Sequence, residues 1–355
     1  MSRRRLAAIA VAALALVAGS GTAQGQSPQL ARALDRALVT AGVDASRTSA
    51  LAVDLTTGRI VYEANSRRAL APASAEKLAV SFAALRLLGP GYRFRTEVAG
   101  EGELDGRVWR GDLFLVGYGD PTLAPADLDA LARDVKAWGI RRVAGRIVGD
   151  ETHFDANRTA PGWKPSFLGL ESPPLSALSV DEVDIRGANE SAAAAARAFA
   201  AALVRRDVAV SGRAVAGRRP AELFPLAQDL SDPLSEIVRH MNRESDNFVS
   251  EMLLKELGVA GARDGSTAAG GKVVRDALVE AGVPVNGVRI VDGSGLSRLD
   301  RLTAKSLVAI LRVGAADPEI RDAFLTSLAV AGVSGTLKKR LDRRPTRGRV
   351  IAKTG

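Results

Sequence analysis

The sequence predicts a mixed α/β (α+β) fold in which a β-rich segment is inserted between two stretches that combine helices and strands. Residues 29–90 have helical spacing of apolar residues on either side of a hairpin pattern. Short alternating stretches, broken by Gly and Asp, follow over residues 94–148. Helical spacing returns from residue 231, and the chain ends on a strand-like run. This order of elements favours an α+β protein with an insertion.

The composition is that of a large globular protein. Of the 355 residues, 46% are hydrophobic and 25% are charged, so long disordered regions are not expected. The formal net charge is +9, but the basic residues are scattered apart from a short cluster at residues 340–344. Because the sequence lacks a basic, aromatic-bearing face, we expect no nucleic acid partner and favour attraction to an anionic cell envelope.

The N-terminal residues 1–25 have the layout of a secretory signal peptide. Three arginines at positions 3–5 precede an unbroken apolar run at residues 6–18, and small residues follow at 21–25. The apolar run is shorter than the ~20 residues of a membrane-spanning helix, so an uncleaved anchor is the less favoured alternative. The chain contains no cysteine, which excludes disulfides and cysteine-linked lipid. We expect export to the periplasm or extracytoplasmic cell envelope.

The first segment predicts a helix, a hairpin and a second helix. Residues 29–40 form an amphipathic pattern, and residues 50–53 and 59–62 flank a turn through Thr-Thr-Gly. The second helix begins near Ser74 and ends at the Gly-Pro pair at residues 89–90. Its predicted buried face consists of Leu78, Phe82 and Leu85.

The remaining pattern predicts short strands, a long ordered loop at residues 161–178, and further helices. An Ala-rich helix is predicted at residues 191–206, with Asn189 close to its N-cap. A helix from residue 231 breaks at residues 243–246, and the next helix ends at residues 257–258. The other predicted elements are strands at 94–98, 108–110, 113–116, 146–148 and 350–355, and helices at 272–281 and 304–313.

Three short motifs carry the chemistry: S-x-x-K at residues 74–77, S-D-N at 245–247 and K-T-G at 353–355. Together they are the signature of penicillin-binding proteins and class A β-lactamases. On a helix, Lys77 lies on the same face as Ser74 and can take the proton of its hydroxyl when the amine is neutral. Burial and a second cation, for which Lys353 is the candidate, both favour the neutral amine.

The other motif residues have complementary chemistry. The Ser245 hydroxyl can relay a proton to a leaving amine, and the Asn247 amide can bind a peptide carbonyl. A strand bearing Lys353 and Thr354 can pair with an extended peptide and meet its terminal carboxylate. At a helix N-terminus, the backbone N–H of Ser74 points to where an oxyanion forms.

Each motif taken alone has an ordinary explanation. S-x-x-K arises by chance in a chain of this length, while S-D-N and K-T-G are common cap and turn sequences. The occurrence of all three in the required order favours the catalytic interpretation. The two histidines, His153 and His240, lie in no G-x-S-x-G motif and are predicted to be structural. No residues have metal-ligand spacing, and no cofactor is predicted.

Longer segments resemble the S13 peptidases, the low-molecular-mass class C penicillin-binding proteins that act as D-Ala-D-Ala carboxypeptidases and endopeptidases. The similar segments are LVGYGDPTL (115–123), PGW (161–163), SAL (176–178), MNRESDN (241–247) and DGSGLSR (292–298). The resemblance implies a β-lactamase/transpeptidase-like catalytic domain at residues 27–97 and 223–355. It also implies an inserted β-rich domain at residues 98–222.

The resemblance also implies a reaction and a site. Ser74 would be the acylated nucleophile and Lys77 the base, and the set is completed by Ser245, Asn247, Lys353 and Thr354. Substrates would be peptidoglycan stem peptides ending in D-Ala-D-Ala, and β-lactams would acylate Ser74 as mimics. The preference for carboxypeptidase or endopeptidase activity and the oligomeric state stay open.

Two departures from the family pattern raise an alternative. After Asp184, a further small inserted domain is missing or vestigial. The sequence given stops at Gly355, whereas in the family the second oxyanion N–H comes from the residue that would be number 356. The alternative to an active hydrolase is therefore a truncated, non-catalytic envelope protein that keeps a binding cleft for peptidoglycan or β-lactams.

Overall fold

A computed structural model of the chain describes residues 11–15, 28–38, 44–181 and 190–355. None of the helices in these ranges is long and apolar enough to cross a bilayer. The helices are α1 (Pro28–Leu38), α2 (Lys77–Leu88), α3 (Pro125–Ala137), α4 (Ser191–Arg205), α5 (Leu234–His240), α6 (Asn247–Ala262), α7 (Thr267–Glu280), α8 (Ala304–Ala316) and α9 (Arg321–Ser327).

Within the described ranges, the strands form three sheets. One sheet has the order β1-β12-β11, one is the β2-β3 hairpin, and the largest runs β10-β4-β5-β6-β8 with β7 paired to β5 and β9. The strands are β1 (Val11–Ala15), β2 (Ala50–Val53), β3 (Ile60–Ala64), β4 (Arg95–Asp105), β5 (Val108–Gly117), β6 (Arg142–Val143), β7 (Ile147–Asp150), β8 (Ala209–Val210), β9 (Ala214–Ala216), β10 (Phe224–Leu230), β11 (Ala329–Val330) and β12 (Val350–Thr354).

The chain divides into two compact units. The first unit comprises residues 1–90, 238–246 and 271–355, and the second comprises residues 91–237 and 247–270. The predicted domain boundaries at residues 97/98 and 222/223 stay a prediction. Residues 247–270, which carry α6, cluster with the second unit although they follow the S-D-N serine in sequence.

In the first unit, the predicted early elements are present and α2 forms a central packing element. The hairpin pairs β2 with β3 antiparallel, and α2 ends before Gly89 as the Gly-Pro pair predicted. Leu78, Phe82 and Leu85 of α2 are all at most 2% exposed. Their burial removes large apolar side chains from water and fixes the helix that follows Ser74.

In the second unit, the insertion contains more helix than the sequence pattern predicted. β4 and β5 form one long antiparallel hairpin, so the two predicted stretches at residues 108–110 and 113–116 are a single strand. The unpredicted α3 begins with Pro125, where the Asp127 carboxylate accepts the Ala124 N–H at 2.8 Å. With α4, it contributes Leu128, Leu131, Val135, Phe199 and Leu203 to a core shared with β4, β5 and β7.

Other differences concern helix ends. The structure continues α6 to Ala262, past the end predicted at residues 257–258. Gly258 does not end the helix; a Cβ there would collide with the Asp264 carbonyl, so the glycine permits a close backbone approach. The short α9 was not predicted, and α5 begins at Leu234 and not at residue 231. Asn189, the predicted cap of α4, and Asp184 lie outside the described residues.

The packing of α2 predicts different costs for two leucine truncations on the same helix. Leu85 is 0% exposed and Leu87 is 45% exposed. We expect Leu85→Ala to lower the free energy of unfolding by about 2–5 kcal/mol, because it leaves a cavity. The matched control Leu87→Ala should change it by no more than about 0.5 kcal/mol. Urea unfolding followed by circular dichroism measures both, and equal losses would contradict the described burial of α2.

Candidate active site

Ser74 lies in a short 3₁₀ turn, Ala73–Glu76, that leads directly into α2. The Lys77 Nζ donates to the Ser74 Oγ at 3.1 Å and to the Ser294 carbonyl at 2.7 Å. Lys77 is fully buried, whereas Ser74 is partly exposed. The predicted contact between Ser74 and Lys77 is therefore present. The serine precedes the α-helix and does not belong to its first turn, and the tighter 3₁₀ spacing still brings residues three apart together.

The backbone just before Ser74 has an unusual conformation. Ala73 has φ +48°, in the left-handed region that residues with a Cβ rarely adopt. Such conformations cost of order 1–3 kcal/mol and persist only where surrounding contacts enforce them. The turn is thus held by tertiary contacts, which also orient the Ser74 hydroxyl.

Ser245 closes a π-helical turn, Met241–Ser245, where the sequence predicted only a break between helices. The Asp246 N–H donates to the Met241 carbonyl at 3.0 Å, the five-residue spacing of a π-turn. Ser245 itself has φ +64°. The wide turn and the left-handed residue together end one helix and direct the Ser245 side chain away from it.

Asn242 connects this π-turn to α2. It is fully buried, and its Nδ2 donates to the Ser81 Oγ at 2.8 Å and to the Ser327 Oγ at 2.9 Å. Ser81 donates in turn to the Lys77 carbonyl at 2.6 Å. The position of Ser245 is therefore tied by buried hydrogen bonds to the helical turn that carries Lys77, and breaking such a bond leaves a costly unpaired group.

Lys353 on β12 completes the group of predicted side chains within the first unit. Its fully buried Nζ donates to the Ser245 Oγ and to the Thr354 carbonyl, each at 2.8 Å. Thr354 donates its hydroxyl to Thr336 Oγ1 at 3.0 Å. The sequence analysis did not single out Thr336, which lies far from K-T-G in the chain.

Burial changes the charge expected for the Lys353 amine. Burial, and then the positive charge of Lys77, lower the pKa of Lys353 to about 6. The expectation had assigned the cation to Lys353 and the neutral amine to Lys77. The pKa of Lys353 is depressed because its buried amine loses hydration. The neutral state expected for Lys77 stays a prediction.

Asn247 does not belong to the first unit: it begins α6 in the second unit. Its Nδ2 donates to the Glu171 carbonyl at 2.8 Å. Five predicted site residues thus belong to one unit, and Asn247 belongs to the other. The five are Ser74, Lys77, Ser245, Lys353 and Thr354.

Ser294 is the site neighbour that the sequence analysis missed. Its carbonyl accepts the hydrogen bond of the Lys77 amine. Ser294 lies in the DGSGLSR segment, which resembles the family but for which no role in the site was predicted. A carbonyl acceptor cannot be identified from sequence, because every residue has one.

The histidines have carboxylate partners that the sequence did not indicate. His153 Nε2 lies 2.8 Å from a Glu256 oxygen, and His240 Nε2 lies 3.3 Å from an Asp246 oxygen. Neither contact involves Ser74, so neither forms a Ser-His-Asp arrangement. Within the described residues, no group of three or more His, Cys, Asp or Glu side chains is arranged to hold a metal ion.

Comparisons with known sequences identify the family of the chain. A profile of the D-Ala-D-Ala carboxypeptidase 3 (S13) family matches residues 30–186 and 182–355. A D-alanyl-D-alanine carboxypeptidase of Actinomadura sp. (strain R39) is 31% identical over 428 residues, covering 94% of this chain and 79% of that protein. Carboxypeptidase DacB of Mycolicibacterium smegmatis is 32% identical, covering 96% of this chain and 76% of that protein.

Solved structures have the same fold. Penicillin binding protein 4 of Haemophilus influenzae matches with a TM-score of 0.78 at 21% identity, covering 87% of this chain and 84% of that one. A predatory peptidoglycan endopeptidase of Bdellovibrio bacteriovorus matches with a TM-score of 0.55 at 17% identity, covering 86% and 78%. The transpeptidase-like fold predicted from sequence is confirmed, and the chain belongs to the D-Ala-D-Ala carboxypeptidase 3 (S13) family.

The depressed pKa of Lys353 predicts how stability depends on pH. The amine is neutral in the folded protein above about pH 6 and charged in the unfolded chain up to its ordinary pKa of 10.5. Unfolding in this window takes up a proton at Lys353, so the contribution of this amine to the free energy of unfolding should rise with pH. Lys353→Met removes this contribution. We expect the free energy of unfolding that Lys353 contributes to change with pH by up to about 1.4 kcal/mol per pH unit.

Urea unfolding of wild type and Lys353→Met across this pH window measures the difference. Lys338→Met, which removes an exposed lysine of the same unit, controls for the loss of one positive charge. A stability difference between wild type and Lys353→Met that does not change with pH would contradict the depressed pKa.

Proposed function

We propose that Ser74 is the acylated nucleophile of a serine-type D-alanyl-D-alanine carboxypeptidase or endopeptidase that acts on peptidoglycan peptides. The observation that carries the proposal is the contact between the buried Lys77 amine and the partly exposed Ser74 hydroxyl. Membership of the S13 family supports the same reaction. The relatives named D-alanyl-D-alanine carboxypeptidase and carboxypeptidase DacB support the substrate class.

The proposed acylation proceeds by proton transfer and attack. Lys77 accepts the Ser74 hydroxyl proton while Oγ forms a bond to the carbonyl carbon of the penultimate D-alanine. Because the pKa of Lys353 is about 6, the two lysines together hold fewer than two protons near neutral pH. Such coupled amines titrate as a pair. Lys77 acts as the base in the state in which Lys353 holds the shared proton and Lys77 is neutral.

Collapse of the tetrahedral intermediate breaks the C–N bond. The leaving amino group receives a proton through Ser245, which accepts the Lys353 hydrogen bond, and D-alanine or a cross-linked amine departs. A water molecule then attacks the ester carbonyl, a lysine amine takes one of its protons, and that proton returns to Ser74 Oγ. The products are the shortened peptide acid and the free serine.

Lys353 and Thr354 are the proposed ligands of the substrate's terminal carboxylate. A carboxylate beside Lys353 favours the charged amine and opposes the effect of burial on its pKa. Thr354 lies on β12 next to this amine, and its hydroxyl is fixed by Thr336. Asn247 is proposed to bind a substrate carbonyl, as its motif position implies.

Residues 1–25 are proposed to direct export and to be removed. Within this leader, the backbone of β1 pairs antiparallel with β12 from Val11↔Thr354 to Ala15↔Val350. Cleavage after residue 25 would remove β1 and leave that edge of β12 available to an extended peptide, which can add to a sheet edge through main-chain hydrogen bonds. The site would then lie in the cell envelope, where its substrate is found.

The acylation proposal predicts a covalent complex with penicillin at one serine. We expect fluorescent penicillin to label wild type and Ser191→Ala, and Ser74→Ala to carry no label on a denaturing gel. Ser191 controls for the loss of a serine hydroxyl at the start of a helix, because it begins α4 in the second unit, where it is buried. Mass spectrometry of the labelled peptide identifies the serine, and label on another peptide would contradict the assignment.

Turnover separates the hydrolase from a protein that only binds. We expect wild type to release D-alanine from an N-acylated peptide ending in D-Ala-D-Ala, while Ser74→Ala releases none above the uncatalysed rate. Free D-alanine is measured with a coupled oxidase. Penicillin labelling without D-alanine release or cleavage of cross-linked peptide would favour the non-catalytic binding protein.

The export proposal predicts a shortened mature chain. Expression of the full sequence in a Gram-negative host should give a periplasmic protein whose N-terminus lies near residue 26. Changing Arg3, Arg4 and Arg5 to glutamate should reduce its export, because a signal peptide needs a basic n-region. N-terminal sequencing of the periplasmic fraction measures this, and an unprocessed chain would count against cleavage.

A further inference from the structure

Two fully buried carboxyl groups, Asp292 and Asp300, lie within one loop of the first unit. The loop, residues 291–301, has no assigned part in the reaction beyond the Ser294 carbonyl. We call it the acid-pair loop. Burying a charged carboxylate is costly unless it is paired or richly hydrogen-bonded, so two such groups in one loop need an explanation.

Asp292 organises the middle of the acid-pair loop. Its Oδ1 accepts the Gly295 N–H at 2.7 Å, and its Oδ2 accepts the Ser297 N–H at 2.7 Å. The Ser294 hydroxyl also donates to Oδ2, at 3.2 Å. These hydrogen bonds fix the backbone on both sides of Ser294.

Asp300 closes the ends of the same loop. Its Oδ1 accepts the Val291 N–H at 2.6 Å and the Asp292 N–H at 3.2 Å. Its buried Oδ2 receives no donor from a described N–H or hydroxyl group. The Asp300 side chain is instead hydrogen-bonded to the side chain of Asp292. Two carboxyl groups can share a hydrogen bond only if one of them keeps its proton.

The proton is retained by Asp300. Burial, and then the negative charge of Asp292 and the hydrogen bond between the two side chains, raise the pKa of Asp300 to about 9. Arg289 and Arg301 do not neutralise the pair through the contacts described: Arg289 donates to the Leu299 carbonyl and Arg301 to the Arg298 and Asp300 carbonyls. Asp300 therefore keeps its proton at neutral pH.

The acid-pair loop touches the proposed nucleophile region at two points. The Ser294 carbonyl accepts from the Lys77 amine at 2.7 Å. Gly295 has φ +80°, and a Cβ there would collide with the carbonyl of Ala73, the residue before Ser74. A shift of this loop would therefore move an acceptor of Lys77 and the backbone support of Ser74 together.

We propose that Asp300 is a positioning residue: as a neutral carboxylic acid it donates its proton to Asp292, and this acid pair holds the Ser294 carbonyl against the Lys77 amine. The proposal rests on the proposed function of Ser74 and Lys77. Asp300 touches no reacting atom, so its effect on acylation passes through Asp292, Ser294 and Lys77.

Three variants separate the shared proton from a generic structural role. Asp300→Asn keeps the Oδ1 acceptor and offers a permanent N–H donor to Asp292, so it mimics the protonated acid. Asp300→Ala removes both functions, and Asp292→Asn removes one of the two oxygen acceptors at the centre of the loop. Asp150→Ala is the matched control, because buried Asp150 also accepts two backbone N–H groups, from Thr152 and Arg219, but in the second unit.

The first measurement is the rate constant for acylation by fluorescent penicillin, together with the thermal midpoint of each variant. We expect Asp300→Asn and Asp150→Ala to stay within about threefold of wild type, and Asp300→Ala and Asp292→Asn to fall by about 10- to 100-fold, the effect of misplacing a catalytic group by about 1 Å. Asp300→Asn that is as slow as Asp300→Ala, or Asp300→Ala that is as fast as wild type, would overturn the proposal.

The second measurement needs no activity. The infrared difference spectrum of wild type minus Asp300→Asn at neutral pH should contain the carbonyl band of a protonated carboxyl group, and its absence would overturn the shared proton. If wild type takes up no penicillin, the proposed function of Ser74 fails on its own. The infrared band and the thermal midpoints of the folded variants then still decide whether the acid pair exists.

Discussion

The buried amine of Lys77 is the group on which the arrangement of the first unit depends. It is removed from water at the start of α2 and must find acceptors there, which it does at the Ser74 hydroxyl and the Ser294 carbonyl. An unmade hydrogen bond to a buried charged group costs more than an ordinary one. The elements bearing these acceptors are therefore constrained to stay against α2.

Further buried hydrogen bonds bring the other motif residues to the same helix. Asn242 ties the π-turn to Ser81, one helical turn after Lys77, and Ser245 at the end of that turn accepts from Lys353 on β12. Both Ala73 and Ser245 keep left-handed backbone conformations next to these contacts. Strain of this kind is found where function fixes a side chain more tightly than local preference would allow.

Electrostatics within the first unit shifts the pKa values of two buried groups, Lys353 and Asp300. Lys77 and Lys353 repel each other, which helps to depress the pKa of Lys353, while Asp292 and Asp300 repel each other and raise the pKa of Asp300. In both pairs, burial contributes the largest effect and disfavours the charged form. The shifted pKa values of Lys353 and Asp300 thus arise from one physical cause.

Local spacing in the sequence determined the hairpin, the buried face of α2, the terminal strand and the three motifs with their family, since each depends on residues close together in the chain. The same helical spacing is present in α3, at Leu128, Leu131 and Val135, but the prediction included this stretch in a β-rich segment. The Ser294 carbonyl, the Asn242 anchor and the proton states of Lys353 and Asp300 were decided by the tertiary structure. Burial and contacts between distant segments set these properties, and no local pattern encodes either.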